Sequence, residues 1–381
     1  MRRRIGSCKR VVVWVGTLCL LAGCATQGRG LDAQTIRERA EKEEAALLKR
    51  VKVYDEPGLV EYLTGVAQRL VGDAARGRVT VIADPTLAAF AMPGGRVFVH
   101  TGLLSRVESE GQLAAILARE LAHDTSKLVE RPFKGPLPRA VLSPTAAAVL
   151  GLDLKLMTHA AIEGYGPDEE RAADVAGARW LAAAGYDPGK ALQVFELLAR
   201  DGADRDGLLE IFFYGNRSRM DERYEATREL PGQRGAAQGS GSHGADGGEL
   251  ERRMRPVVRD NAALDMRAGR FALAQRQLDR VLAVAPDDRI AHVYYGDWYR
   301  LQSQQASGPA RAEGARKALE RYERAVALDP SYAETFRQLA LLHYQERDTA
   351  KARAAFERYL SLKPDAPDAQ RVREYLAALR D

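Results

Sequence analysis

Residues 109–124 read SEGQLAAILARELAHD, and the rest of the chain can be placed outward from this stretch. Leu113, Ile116, Leu117 and Leu121 recur at three- and four-residue spacing, which predicts a helix from about Ser109 to Asp124 with one apolar face. Its last turn carries polar groups: Ala118-Arg119-Glu120-Leu121-Ala122-His123. Upstream, Leu59, Tyr62, Leu63, Val66 and Leu70 predict a helix over 56–71. The alternating, β-branched run from Arg78 to Ala83 predicts a strand. After a turn-rich stretch, Pro93-Gly94-Gly95 introduces a second short strand at Arg96–His100. Downstream, residues 131–145 hold four prolines and read as a loop, followed by helices near 146–163, 167–184 and 188–201. These elements predict a mainly helical α+β domain with a small sheet over residues 55–228.

Residues 251–381 are periodic. Pro330 and Pro364 lie 34 residues apart, the period of tetratricopeptide repeats, and Pro286 lies a further 44 before Pro330. The ten extra residues are expected within 302–314, between two helices of one unit. Ala274, Ala318 and Ala352 each fall 12 residues before one of these prolines, and Leu278, Tyr322 and Phe356 follow four later. Small residues let helices approach and large ones fill the gap between them, so an all-α solenoid is expected, with Gly296 and Tyr299 in the second unit and a capping helix over 365–379. Between the two domains, residues 229–250 are rich in Gly, Ser and Ala and are expected to form a flexible linker.

Residues 1–23 pair a basic start (Arg2, Arg3, Arg4, Lys9, Arg10) with an apolar run from Val11 to Ala22 that is too short to span a bilayer. The run ends in Leu21-Ala22-Gly23-Cys24, which reads as a lipoprotein cleavage site with Cys24 as the lipidated residue. Residues 24–54 then form a tether and helix. Ala25 in place of Asp favours the outer membrane over the inner, at the periplasmic face of the envelope. Cys8 and Cys19 leave with the leader, so no thiol of the mature chain remains for a disulfide or a metal. The net charge of +5 includes that basic start, and no compact basic stripe with interleaved aromatics appears, which argues against nucleic acid as a partner.

Zinc peptidases place two His at i and i+4 of a helix so that both imidazoles reach one metal, with a Glu between them that deprotonates the bound water. Here Glu120 and His123 stand in that order, and Arg119 occupies the position of the first His. Upstream run Asp84-Pro85-Thr86-Leu87-Ala88-Ala89-Phe90-Ala91-Met92-Pro93-Gly94-Gly95-Arg96-Val97-Phe98-Val99 and Thr101-Gly102-Leu103-Leu104. Downstream come Glu170-Arg171-Ala172-Ala173-Asp174 and Ala184-Gly185-Tyr186-Asp187-Pro188. Together these pieces resemble the HtpX/BepA-like gluzincin metallopeptidase family over residues 55–228. The resemblance implies zinc as cofactor, Glu120 as general base, and His123 and Glu170 as metal ligands. It also implies Asp174 as the carboxylate orienting a ligand His, and Arg96, Val97, Phe98 and Val99 as an edge strand that pairs with extended substrate. With the lipid site and the repeats, it implies work on unfolded or assembling envelope proteins and a protein partner held by the repeats.

The chain departs from that family at three positions. Arg119 replaces the first ligand His, Arg217 replaces the His of the family's Asn-His-Pro segment, and Ala88 stands where the family has Asn. A guanidinium has no lone pair to give a metal and stays protonated. It can instead pair with Glu120 or Glu170 and join two helices as a metal would. Two readings follow: a pseudoprotease that serves as a scaffold, or an active zinc metalloendopeptidase with an unusual ligand set, in which His100, His159 or His243 completes the site. A third makes the repeats the functional module and the peptidase-like domain a spacer.

Overall fold

A computed structural model describes residues 33–72, 78–92, 95–123, 167–202 and 247–379. The first part has helices α1 (Ala33–Leu48) and α2 (Pro57–Val71), strands β1 (Val79–Ile82), β2 (Ala89–Met92) and β3 (Arg96–His100), then α3 (Thr101–Leu104) and α4 (Glu110–Ala122). α5 (Pro167–Ala183) and α6 (Lys190–Gly202) follow. The α+β expectation holds, with a three-stranded sheet in the order β1-β3-β2. β3 runs parallel to β1 and antiparallel to β2.

Alternation along the strands sorts the sheet into two faces. Val79, Val81, Ala89, Val97 and Val99 join the core formed with α2 and α4. Ile82, Met92 and Phe98 point the other way and are covered by Ala40 and Leu47 of α1. Phe90 and Phe98 stack on that face, 5.1 Å between centroids. Arg96 lies on it too, and its Nε is 2.6 Å from Glu44 of α1.

α4 runs through the middle of the domain, with residues 111–121 all buried. Ser109 starts it, its Oγ accepting from the Gln112 amide at 3.2 Å, which satisfies one of the orphan donors of the first turn. Glu110 in the first turn adds the negative charge that a helix N-terminus favours. Its carboxylate also accepts from Tyr62 (2.5 Å), Arg69 (2.7 Å) and Tyr186 (2.6 Å), tying α2 and the turn after α5 to the start of α4. Each fully buried Leu along α4 contributes about 1.5–3 kcal/mol of transfer free energy.

The repeats are α7 (Gly247–Arg267) with α8 (Phe271–Val284), α9 (Arg289–Gln305) with α10 (Gly308–Leu328), and α11 (Ala333–Gln345) with α12 (Thr349–Leu362), closed by α13 (Ala369–Ala378). Ala274, Ala318 and Ala352 are fully buried, as are Leu278, Tyr322 and Phe356. A Cβ on Gly296 would lie 2.3 Å from the Tyr322 ring, so the small residue at this crossing is required by contact.

Three expectations change. The ten extra residues of the second unit form no separate loop: they lengthen α9 to 17 residues and α10 to 21, where α11 and α12 have 13 and 14. α7 begins at Gly247, so residues 247–250 of the expected linker are helix, and Leu250 is buried. β2 forms where only a turn-rich stretch was read. The remainder of the linker, the proline-rich loop and the helix near 146–163 lie outside the described residues. No helix among the described residues is long and apolar enough to cross a membrane.

Candidate metal centre

The polar groups of the motif collect where α4 meets α5. α5 comes close because Gly177 faces α4: a Cβ there would lie 3.3 Å from the Arg119 amide nitrogen and 3.4 Å from its Cα. Ala173, one turn earlier on α5, is buried. The approach brings Asp174 beside α4, with its Oδ1 3.7 Å from Arg119 Nε.

Arg119, Glu120 and His123 are all buried. Neighbouring residues on a helix do not face each other. The long Arg119 side chain nevertheless turns so that its Nη1 contacts Glu120 Oε1. The guanidinium thus sits between the Glu120 carboxylate of α4 and the Asp174 carboxylate of α5. This agrees with the expected pairing to Glu120, and adds Asp174 as the partner across the seam. Glu170 lies in the first turn of α5, and its side chain is outside the described residues. α4 ends at Ala122, so His123 is the residue on which the helix stops; its backbone is extended (φ −63°, ψ 118°) and its amide donates to the Arg119 carbonyl at 3.3 Å.

The donor set of the described residues does not fit a catalytic zinc. Such a site takes three protein ligands, and the motif offers His123 and Glu170. The third position holds a permanent cation whose charge would oppose a metal at this distance. Among the described residues no group of three or more His, Cys, Asp or Glu is placed to hold a metal ion. The chemistry that the described residues can perform is electrostatic: the guanidinium lies between the buried Glu120 carboxylate and the partly buried Asp174 carboxylate across a helix seam.

The substrate-strand expectation is corrected. β3 is the middle strand, so Arg96, Val97, Phe98 and Val99 already pair on both sides. Arg96 is further committed to Glu44. On the far side of β1, Val53 bridges Ile82, and the Tyr54 amide donates to the Val81 carbonyl at 2.8 Å. Among the described residues no strand pairs with the far side of β2, where Ala89 is buried and Ala91 partly exposed. His100 donates to the Ala88 carbonyl at 2.8 Å, so Ala88, Phe90 and Met92 direct their backbone groups at β3, and those of Ala89 and Ala91 point outward. α4 packs against β2, which places this edge beside the helix of the motif.

His100 lies in a bracket of its own. Its Nδ1 is 2.6 Å from Thr86 Oγ1 and 3.5 Å from Asp84 Oδ1. Burial pushes the Asp84 carboxyl up, but His100 and Thr86 outweigh it and hold the group well below the usual carboxylate range. His100 therefore has a structural task at the sheet end. Cys24, His159, Arg217 and His243 lie outside the described residues. The sequence reading missed Gly177, Ala89 and Ala91; the glycine three residues after Asp174 on an otherwise Ala-rich helix was the available signal.

Comparison with known proteins agrees with the division into a peptidase-like domain and repeats. Residues 59–243 match the model of Peptidase family M48, and residues 260–308 and 309–377 each match a tetratricopeptide repeat model. The chain is 31% identical over 145 residues to Mitochondrial metalloendopeptidase OMA1 of Schizosaccharomyces pombe, covering 35% of this chain and 42% of that protein. The Arabidopsis thaliana protein of the same name is 32% identical over 132 residues, 34% of this chain and 27% of the relative. Beta-barrel assembly-enhancing protease of Escherichia coli is 26% identical over 152 residues, 35% of this chain and 31% of the relative. The chain thus spans less than half the length of each of these relatives. By its matched segments and its fold, the chain joins a domain of Peptidase family M48 to a run of tetratricopeptide repeats.

Proposed function

We propose that this metallopeptidase-family protein is a pseudoprotease: a scaffold, lipid-anchored through Cys24 at the periplasmic face of the outer membrane, that serves envelope protein quality control. The observation that carries the proposal is the Arg119 guanidinium between Glu120 and Asp174, where the family needs a ligand lone pair. With Glu120 engaged by a cation, the carboxylate is not poised to take a proton from water. Binding can survive that loss, because the outward backbone groups of Ala91, which is only partly buried, form no part of the centre and can pair with an extended chain. The similarity to a beta-barrel assembly-enhancing protease supports unfolded or assembling outer-membrane proteins as what is bound. The repeats supply a second surface for a protein partner.

The test is cleavage of an unfolded β-barrel protein by the purified mature chain, with Glu120→Gln beside it. The expected result is binding by both proteins and cleavage by neither. Metal-dependent cleavage lost in Glu120→Gln would instead establish the second reading, an active zinc metalloendopeptidase. That reading is favoured by the retention of both Glu120 and His123, buried at the end of one helix.

A further inference from the structure

The first repeat does not stand apart from the peptidase domain. Its helix α7 contributes Leu250, Met254, Val257, Val258, Ala262 and Met266 to the same apolar core as α2, α4 and the sheet. A polar network lies within that contact. Asp265 is fully buried, and its carboxylate accepts from Asn261 Nδ2 (2.9 Å), Gln277 Nε2 (2.8 Å) and Arg270 Nε (2.7 Å). Arg106 of the peptidase domain lies 3.4 Å away on the other side. One buried anion is thus balanced by one arginine from each part of the chain. Such a group is costly unless every partner is present.

The network ends on the loop from which β2 starts. Thr101 Oγ1 is 2.9 Å from both Asn261 Oδ1 and the Asp84 carbonyl oxygen. Arg270 Nη2 donates to the Pro85 carbonyl at 3.1 Å. Gly102 faces the same backbone so closely that a Cβ would lie 2.3 Å from the Pro85 carbonyl oxygen. Residues 84–86 are therefore held on one side by the His100 bracket and on the other by the repeats.

We infer that the first repeat is a structural part of the peptidase domain, and that Asn261, Asp265 and Arg270 are positioning residues for the loop 84–88 and for the outer edge of β2 that follows it. The repeats and the edge then form one body with a fixed relation between them, so a partner held by the repeats is presented to the β2 edge at a set distance. The inference does not depend on whether the centre binds metal.

The test uses the full mature chain. Scanning calorimetry of the wild type is expected to give one unfolding transition. Amide hydrogen exchange is then compared with Thr101→Val, which removes the hydroxyl joining Asp84 to Asn261, and with Arg270→Gln, which removes the contact to Pro85. Both variants are expected to speed exchange at residues 84–92 by about tenfold or more, with exchange in α11 and α12 unchanged. Asp265→Asn is expected to do the same more strongly; if it fails to fold, the two milder variants decide. Two separate transitions in the wild type, or exchange at 84–92 that stays at the wild-type rate in both milder variants, would overturn the inference.

Discussion

The two seams of this molecule, α4 against α5 and helix against helix in the repeats, are built on the same plan and have been used differently. In the repeats, Ala352 and Phe356 do one job only: a small residue admits the neighbouring helix and a large one fills the space. In the peptidase half, Gly177 and Ala173 admit α5, and the Leu residues of α4 are buried with the rest of that helix. The polar centre between them holds the Arg119 guanidinium beside the carboxylates of Glu120 and Asp174. Packing and chemistry are thus separable: the apolar frame of α4 specifies the fold whichever polar groups stand at its last turn.

That contrast can be broken or sharpened by substitution. Phe356→Ala is expected to lower unfolding free energy by about 4 kcal/mol, as for other buried aromatics, read by urea denaturation. Arg119→Met is expected to cost about 3 kcal/mol, because it removes a cation from beside the buried Glu120 carboxylate. A neutral or stabilising result for Arg119→Met would mean that the guanidinium is a passenger and not the tie across the seam. Gly177→Ala is expected to cost about 1–3 kcal/mol by pushing α5 off the Arg119 backbone, seen as a lower thermal midpoint.

The smallest effect is with pH. Burial raises the Glu110 carboxyl, but hydrogen bonds from Tyr186 and Tyr62 and the charge of Arg69 outweigh it and hold it below its ordinary 4.5. A folded value below the unfolded one means that this contribution is complete above pH 4.5 and is lost as pH falls through the lower folded value. Asp84, also held low, adds to the loss in the same direction as pH falls. Thermal midpoints measured across an acid series should therefore fall less steeply in Glu110→Gln than in the wild type.

Much of this was legible in the sequence. The spacing of Leu113, Ile116, Leu117 and Leu121 marked α4, and the three prolines with their Ala and large apolar or aromatic partners marked the repeats. β2 was hidden because Ala-Phe-Ala-Met has one aromatic and no β-branched residue, so it carries little strand signal by itself. The place of β3 in the middle of the sheet was beyond reach, since strand order is set by which edges are already taken. The join between the domains was hidden for a different reason. Asn261 and Asp265 look like solvated helix residues until their four-residue spacing is set beside Met254, Val257, Val258 and Ala262, which share their face. Arg119 was legible as a replacement for a ligand, but its link to Asp174 depends on how closely Gly177 lets α5 approach.

The most direct test of the central claim is zinc content by elemental analysis, on the purified mature chain and on Arg119→His prepared beside it. The account predicts a wild type without zinc and a variant that takes up about one zinc per chain, because the substitution restores the missing donor to a frame that is still in place. Close to one zinc per chain in the wild type would contradict it.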